Sequence, residues 1–193
     1  DEFGSATFTA ATRGTPPITL QWFKNDVPIA GATFPTLVLN NIPFSDNNAN
    51  IYCVASNYVE NTPALATSAT AILTVIPDLT APELLALRLD SLSSVEVIFS
   101  EPVLADDAAN LGNFLLTGPE GTISLNSGAL SPDPSRVILT ADGIIPCGTI
   151  TVTVNNVRDQ AAAGNPVAPN STAQFNNLIP GGLTHLYNFN NPP

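Results

Sequence analysis

The sequence predicts an all-β protein built from two β-sandwiches in tandem. Short strand-like runs recur about seven times per 100 residues, turn-forming residues separate them, and no segment keeps a helical period over three turns. The 193 residues include 18 prolines and 12 glycines, and they suffice for two domains of roughly 100 residues each. Apolar and polar residues alternate at Val95–Val97 and Val152–Val154, as in strands that bury one face.

The predicted strands form two groups. In the first half they are Ala6–Ala11, Thr19–Lys24, Thr36–Leu39, Asn50–Ser56 and Ala69–Val75. In the second half they are Leu84–Leu89, Val95–Phe99, Asn113–Thr117, Thr122–Leu125, Arg136–Thr140, Thr149–Val154 and Thr172–Phe175. Leu84–Leu87 has the composition of a helix start, but Pro82 and the β-rich surroundings favour a strand.

The domain boundary is predicted at residues 76–82, because Pro77 and Pro82 fix φ and remove two backbone donors. This gives a first domain of residues 1–77, a second of residues 78–177 and a tail of residues 178–193. The first domain carries 5 acidic and 2 basic residues, and the second carries 11 and 3. The tail is rich in asparagine and aromatic residues and contains the single histidine, His185.

Composition excludes several classes of function. The net charge is −11 and Lys24 is the only lysine, so a basic surface for nucleic acid is excluded. No apolar run approaches the roughly 18–20 residues of a membrane span, so membrane insertion is not expected. Cys53 and Cys147 fall in different predicted domains and are expected to stay unpaired. Cys147 has no histidine in its domain to activate it, no carboxylate is marked as a general acid, and no glycine-rich phosphate loop is present, so we expect no enzyme and no catalytic residues.

The first half carries an ordered series of motifs. They are Gly14–Pro17, Gln21–Asn25, Ile29–Thr33, Leu37–Leu39, Asp46, Cys53–Asn57 and Ala71–Val75. Over about residues 4–75 this series resembles an immunoglobulin-like domain of the I-set type. The resemblance implies that Trp22 fills the space between two sheets and that Cys53 lies beside it.

Three departures from that family matter. Ala10 stands where the first cysteine of the family would fall, so the inter-sheet disulfide cannot form and Cys53 acts as a small buried hydrophobe. Ile51 occupies the place of the corner tyrosine, with Tyr52 beside it. Glu2–Thr7 resembles the turn after the first strand of the family, so that strand is absent. An unpaired edge of this kind is unstable or sticky unless something covers it.

The second half and the tail carry weaker motifs. Those of the second half are Ala81–Pro82, Val95–Val103, Val137–Thr140, Gly148–Val154, Val157–Asp159 and Gly164–Asn165. Over about residues 80–177 it resembles the bacterial immunoglobulin-like repeats of surface-layer and adhesin proteins. Gly182–Phe189 resembles the opening strand of a laminin-G-like sandwich, which suggests that the parent protein continues.

Two sets of residues are candidate binding sites, each with a structural alternative. Asp78, Glu101 and Asp159, with Asp106 and Asp107 nearby in sequence, lie near turns where oxygen atoms gather around Ca²⁺. No spaced aspartate motif accompanies them, so solvated turn carboxylates are the favoured interpretation, and no cofactor other than calcium is considered.

Aromatic and modifiable residues give the second group of candidates. Phe34, Phe44 and Tyr58 have the chemistry to stack on a sugar, although local turn packing is favoured. Asp106 and Asp107 are adjacent in sequence, so they are not a fixed glycosidase pair. A Lys–Asn isopeptide bond at Lys24 is disfavoured. Asn170 begins a glycosylation sequon, which matters only in a host with that system.

These observations predict a non-catalytic extracellular module of a bacterial cell-surface, adhesin or fibre protein. The expected partners are other copies of the chain, neighbouring domains of the parent protein, or glycans. A sharper hypothesis is assembly by strand addition, in which the bare edge of the first domain accepts a neighbouring chain's tail through Leu183, Leu186, Tyr187 and Phe189. Truncation of a longer protein is the competing explanation. The alternative class is an accessory spacer or carbohydrate-binding module of a secreted carbohydrate-active enzyme.

Overall fold

A computed structural model describes residues 1–59 and 62–178. The chain forms two compact units, and the chain passes from the first to the second between Asp78 and Leu79. The first unit also takes in Ala161–Ala163. No helix in the described part of the chain is long and apolar enough to cross a bilayer. The predicted all-β class with two β-sandwiches is confirmed.

The described residues of the first unit form seven strands. They are β1 (Ser5–Thr9), β2 (Thr19–Lys24), β3 (Val27–Pro28), β4 (Thr36–Asn40), β5 (Ala49–Val59), β6 (Thr62–Thr67) and β7 (Ala71–Leu73). One sheet has only two strands, β1 and β4, and the other has the order β3-β2-β5-β6, with β7 also paired to β5. Every pairing is antiparallel.

The core of the first unit is centred on Trp22, whose side chain is only 4% exposed. Trp22 in β2 lies opposite Cys53 in β5, and its ring contacts Phe8 of β1 at a centroid separation of 6.3 Å. The indole N–H donates to the carbonyl oxygen of Phe34 at 2.9 Å, so burial leaves no polar atom unpaired. Apolar residues at alternate positions of β2 and β5 therefore enclose one core.

Up to residue 178, the second unit contains eight strands and one short α-helix. They are β8 (Leu84–Ser91), β9 (Ser94–Phe99), α1 (Ala105–Ala109), β10 (Phe114–Gly118), β11 (Gly121–Ile123), β12 (Leu125–Leu130), β13 (Arg136–Ala141), β14 (Gly148–Val154) and β15 (Ser171–Asn177). They form two antiparallel four-stranded sheets, with the orders β12-β13-β9-β8 and β11-β10-β14-β15. Their inward residues make a separate core that includes Val97, Leu116, Leu139 and Val152.

The structure adds elements that the sequence analysis did not predict. The hairpin between β2 and β3 turns through Asn25 and Asp26, both with positive φ, as a two-residue type I′ turn requires. Strand β6 is exposed along its length, so it shows no burial alternation in the sequence. Helix α1 has five residues, too few to show a helical period.

Candidate functional sites

Two of the predicted calcium residues come together within the second unit. One carboxylate oxygen of Glu101 and one of Asp159 lie within 4.8 Å of each other. Asp78, the third predicted residue, is the last residue of the first unit, where its N–H donates to Glu2 Oε2 at 3.1 Å. Two carboxylates supply only part of the six to eight oxygen ligands that Ca²⁺ takes.

The Asp159 carboxylate, only 1% exposed as a residue, binds its own loop. Its Oδ1 accepts from Asn165 N at 2.9 Å and its Oδ2 accepts from Asn165 Nδ2 at 2.7 Å. The Asp159 N–H in turn donates to the Asn165 carbonyl at 3.1 Å. The side chain and the main chain thus close the same loop between Asp159 and Asn165.

A second buried carboxylate, Asp107 of α1, is held by Arg158. Its Oδ1 accepts from Arg158 Nη2 at 2.8 Å, and its Oδ2 accepts from Arg158 Nε and N, both at 2.9 Å. The two guanidinium contacts form the fork that arginine offers a carboxylate. The position of Asp107 in α1 and its bonds to Arg158 thus fix this carboxylate. No signal in a single sequence links residues 51 positions apart.

We predict an acid-sensitive contribution of this ion pair to the second unit. Hydrogen bonds from Arg158 hold the pKa of Asp107 below its ordinary value, against an opposing effect of burial. The pKa of Asp107 is therefore lower in the folded state than in the unfolded state, where it is about 3.9. The pair contributes its full stabilisation at pH values above the unfolded-state pKa and loses it as the pH falls through the folded-state pKa. Asp107→Asn should cost about 1–3 kcal/mol at pH 7 and flatten the decline in stability below pH 4.

Far-UV circular dichroism in thermal melts checks this prediction. The second unit contains no tryptophan, so its transition is the one that Trp22 fluorescence does not follow. Asp142→Asn, at an exposed position in the same unit, is the control. An unchanged pH slope in D107N would contradict the assignment of acid sensitivity to this pair.

The predicted aromatic set does not form one exposed surface. Phe34 and Tyr58 are 72% and 70% exposed, whereas Phe44 is partly buried against the first core. A different, unpredicted pair does come together: Phe23 and Tyr52 lie opposite each other on β2 and β5, and their rings stack at a centroid separation of 5.1 Å with an interplanar angle of 4°. Their register is visible only once the strands are paired.

Neither cysteine forms a disulfide: Cys53 is buried and Cys147 is exposed. Lys24, near the end of β2, pairs with Asp46 through contacts of 2.8 and 2.9 Å. Asn170 is exposed, with a positive φ. The tail residues His185, Leu183, Leu186, Tyr187 and Phe189 lie outside the described residues.

A groove of about 520 Å³ opens in the first unit, and we call it the β1–β6 groove. Its residues come from β1 and the segment after it, from the inner face of β2 and β5, and from β6 and the residues that follow. Among them are Phe8, Leu20, Trp22, Cys53, Ala55 and Leu65. The volume lies within the range of protein ligand sites.

No protein-family model and no curated protein sequence matches the chain. Among solved structures, it is similar to the N-terminal part of the bacterial S-layer protein SbsC, with 25% identity and a TM-score of 0.44. That match covers 50% of this chain and 23% of the other.

Immunoglobulin-domain structures also match. Sidekick-1 immunoglobulin domains 1–5 match with 11% identity and a TM-score of 0.34, over 89% of this chain and 33% of the other. The titin I-band fragment I67–I69 matches with 18% identity and a TM-score of 0.31, over 91% and 60%. The chain spans less than two thirds of the length of each of these proteins.

Proposed function

We propose that the chain is a non-catalytic structural module of a bacterial cell-surface or extracellular protein. The observation that carries this proposal is the use of buried polar side chains to hold main-chain segments of their own unit. Asp107 accepts from Arg158 N, and Asn113 Nδ2 donates to the Asp107 carbonyl at 3.0 Å. Asn177 Nδ2 donates to the carbonyls of Ile145 and Pro146 at 3.1 and 2.9 Å. These groups brace turns and strand ends.

The charge distribution suits such a role. With a net charge of −11 and few basic residues, copies of the chain repel one another except where a specific contact forms. Repulsion of this kind keeps repeated surface modules apart and soluble. It also favours contacts made by uncharged strands or loop ends over contacts between charged faces.

Single-molecule stretching tests the proposal. Because each unit has its own core, we expect two discrete unfolding events, with contour-length gains of up to about 260 Å for 78 residues and about 330 Å for roughly 100 residues. Asp107→Asn should lower the force of the longer event alone. Smooth extension without discrete events would contradict a load-bearing role.

We also propose that Glu101 and Asp159 act as structural carboxylates rather than as a calcium site. Asp159 already accepts two hydrogen bonds from Asn165. We therefore expect millimolar CaCl₂, compared with chelator, to change the melting temperature of the second unit by less than about 1 °C. A rise of several degrees that Glu101→Gln abolishes would overturn this interpretation, since a bound ion stabilises the folded state by mass action.

The finer form of the proposal is assembly by strand addition. The uncharged segment Leu183–Phe189 of a neighbouring chain would supply the strand, because apolar residues recur along it and it carries no like charge toward the acidic units. Deleting residues 183–193 should then abolish self-association at high protein concentration. Unchanged sedimentation after the deletion would remove the tail as donor.

The second candidate function is an accessory carbohydrate-binding module. It is favoured by the stacked Phe23–Tyr52 pair and by the exposed rings of Phe34 and Tyr58. Polysaccharide pull-down that is lost in Tyr58→Ala or Phe34→Ala would support it, and equal retention of all variants would not.

A further inference from the structure

The β1–β6 groove is bordered on one side by an unpaired strand edge. Among the described residues, β1 pairs only with β4. Ala10 N–H donates to the Pro35 carbonyl of the β4 side at 2.8 Å. Because main-chain groups alternate in direction along a strand, those of Thr7 and Thr9 point to the other side. They form a row of donors and acceptors that β4 does not use.

A second unpaired edge borders the groove from the opposite sheet. In the described part of the chain, β6 pairs only with β5. Ser68 N–H donates to the Cys53 carbonyl at 2.9 Å, so the same alternation directs the main-chain groups of Leu65 and Thr67 away from β5. Two free edges, one from each sheet, therefore flank a single groove.

The floor between these edges is apolar. It is formed by inward side chains of β2 and β5, including Leu20, Trp22 and Cys53. Arg13 is the only charged residue among the described residues that line the groove, although the first unit as a whole is acidic. Apolar side chains of a bound peptide would be removed from water on this floor. A peptide without charges would also avoid repulsion by the acidic residues of the unit.

We infer that the β1–β6 groove is an acceptor for one extended peptide strand, uncharged along its length and with apolar side chains at alternate positions. Its backbone pairs with the free edge of β1, and every second side chain enters the apolar floor. A compact ligand would leave the main-chain groups of the strand edge unused, and a charged side chain would lose hydration on the apolar floor. An uncharged extended strand both pairs with the edge and buries apolar side chains on the floor. The inference deepens the strand-addition part of the proposed function, since it names the acceptor independently of the donor.

Two probes and two readouts on the full-length chain test the inference. The probes are a synthetic heptapeptide with the sequence of residues 183–189 and an alternating valine–threonine heptapeptide. Trp22 is the single tryptophan and lines the groove, so its emission reports binding. In a Cys147→Ser chain the only thiol is that of Cys53, and bound peptide should slow its reaction with a thiol reagent at least tenfold.

A matched pair of variants locates the binding edge. Thr7 and Val38 are cross-strand partners in the two-stranded sheet, and both direct their main-chain groups away from their pairing partner. Thr7→Pro removes a donor on the edge of β1 that β4 does not use, and Val38→Pro removes one on the opposite edge of this two-stranded sheet, where proline is tolerated. We expect Thr7→Pro to weaken peptide binding at least fivefold and Val38→Pro to leave it within twofold.

N-methylated versions of the same peptides repeat this test without changing the protein. Methylation of alternate backbone nitrogens should abolish binding, because it blocks pairing with β1. If only the valine–threonine peptide binds, the β1–β6 groove is still a strand acceptor, but residues 183–189 are not the strand that it accepts. Binding of neither peptide, or equal binding to both proline variants and to the methylated peptides, would overturn the inference while leaving the structural role of the module untouched.

Discussion

Replacing Trp22 with alanine should unfold the first unit and leave the second folded. Removal of a buried tryptophan costs about 3–5 kcal/mol, and a unit of this size has little stability to spare. The indole also supplies the hydrogen bond to Phe34 and the ring contact with Phe8, so the cavity would border both sheets. Differential scanning calorimetry should show the loss of one transition, with the other within about 2 °C of its original midpoint.

Phe34→Ala is the control for this prediction. It removes an aromatic side chain of the same unit that is exposed rather than buried, so it should change stability by less than about 0.5 kcal/mol. In this variant the main-chain carbonyl of residue 34 still accepts the hydrogen bond from the indole N–H of Trp22, because the contact does not use the side chain of residue 34. Two transitions of normal size in the Trp22 variant would mean that the first core is not organised around this residue.

Adding one methyl group at Gly128 should destabilise the second unit strongly. Gly128 lies in β12, and a Cβ atom there would overlap the carbonyl oxygen of Ala108 in α1 and lie 3.2 Å from a side-chain carbon of Leu139. A main-chain oxygen cannot swing aside as a flexible side chain can, so α1 or β12 has to shift. We expect Gly128→Ala to cost about 3 kcal/mol, at the upper end of overpacking effects.

Gly143→Ala provides the comparison in the same unit. No atom lies within 4 Å of the Cβ position there, and Gly143 has no positive φ. Its effect should stay within about 0.5 kcal/mol, measured by chemical denaturation followed with circular dichroism. Similar losses in both variants would argue against close packing of α1 on β12.

The positions of strands with one buried face could be predicted from the sequence. Val152 and Val154 in β14 alternate with threonine, and Val137 and Leu139 in β13 lie at the alternate, buried positions of an apolar run. Each of these strands lies within two residues of its predicted bounds. The exposed strand β6 and the five-residue α1 were missed, because neither leaves a periodic pattern. The Asn25–Asp26 pair, by contrast, is a local hairpin signal, because both residue types tolerate the positive φ of a two-residue turn.

The candidate sites were harder to predict, for a physical reason. Asp107 meets Arg158, and Phe23 meets Tyr52, only through strand pairing and chain reversal. The spacing of residues along the chain does not predict contacts of this kind. The bare edge of β1 was inferred from a missing motif, but the opposing edge of β6 and the groove between them depend on tertiary structure.

The cysteine that faces Trp22 has a consequence for how the first unit folds. Cys53 has no sulfur partner, and Ala10 contributes a methyl group to the same interior. The first unit thus reaches its native state without any oxidation step. A thiol reagent therefore finds no disulfide to reduce in the core of this unit.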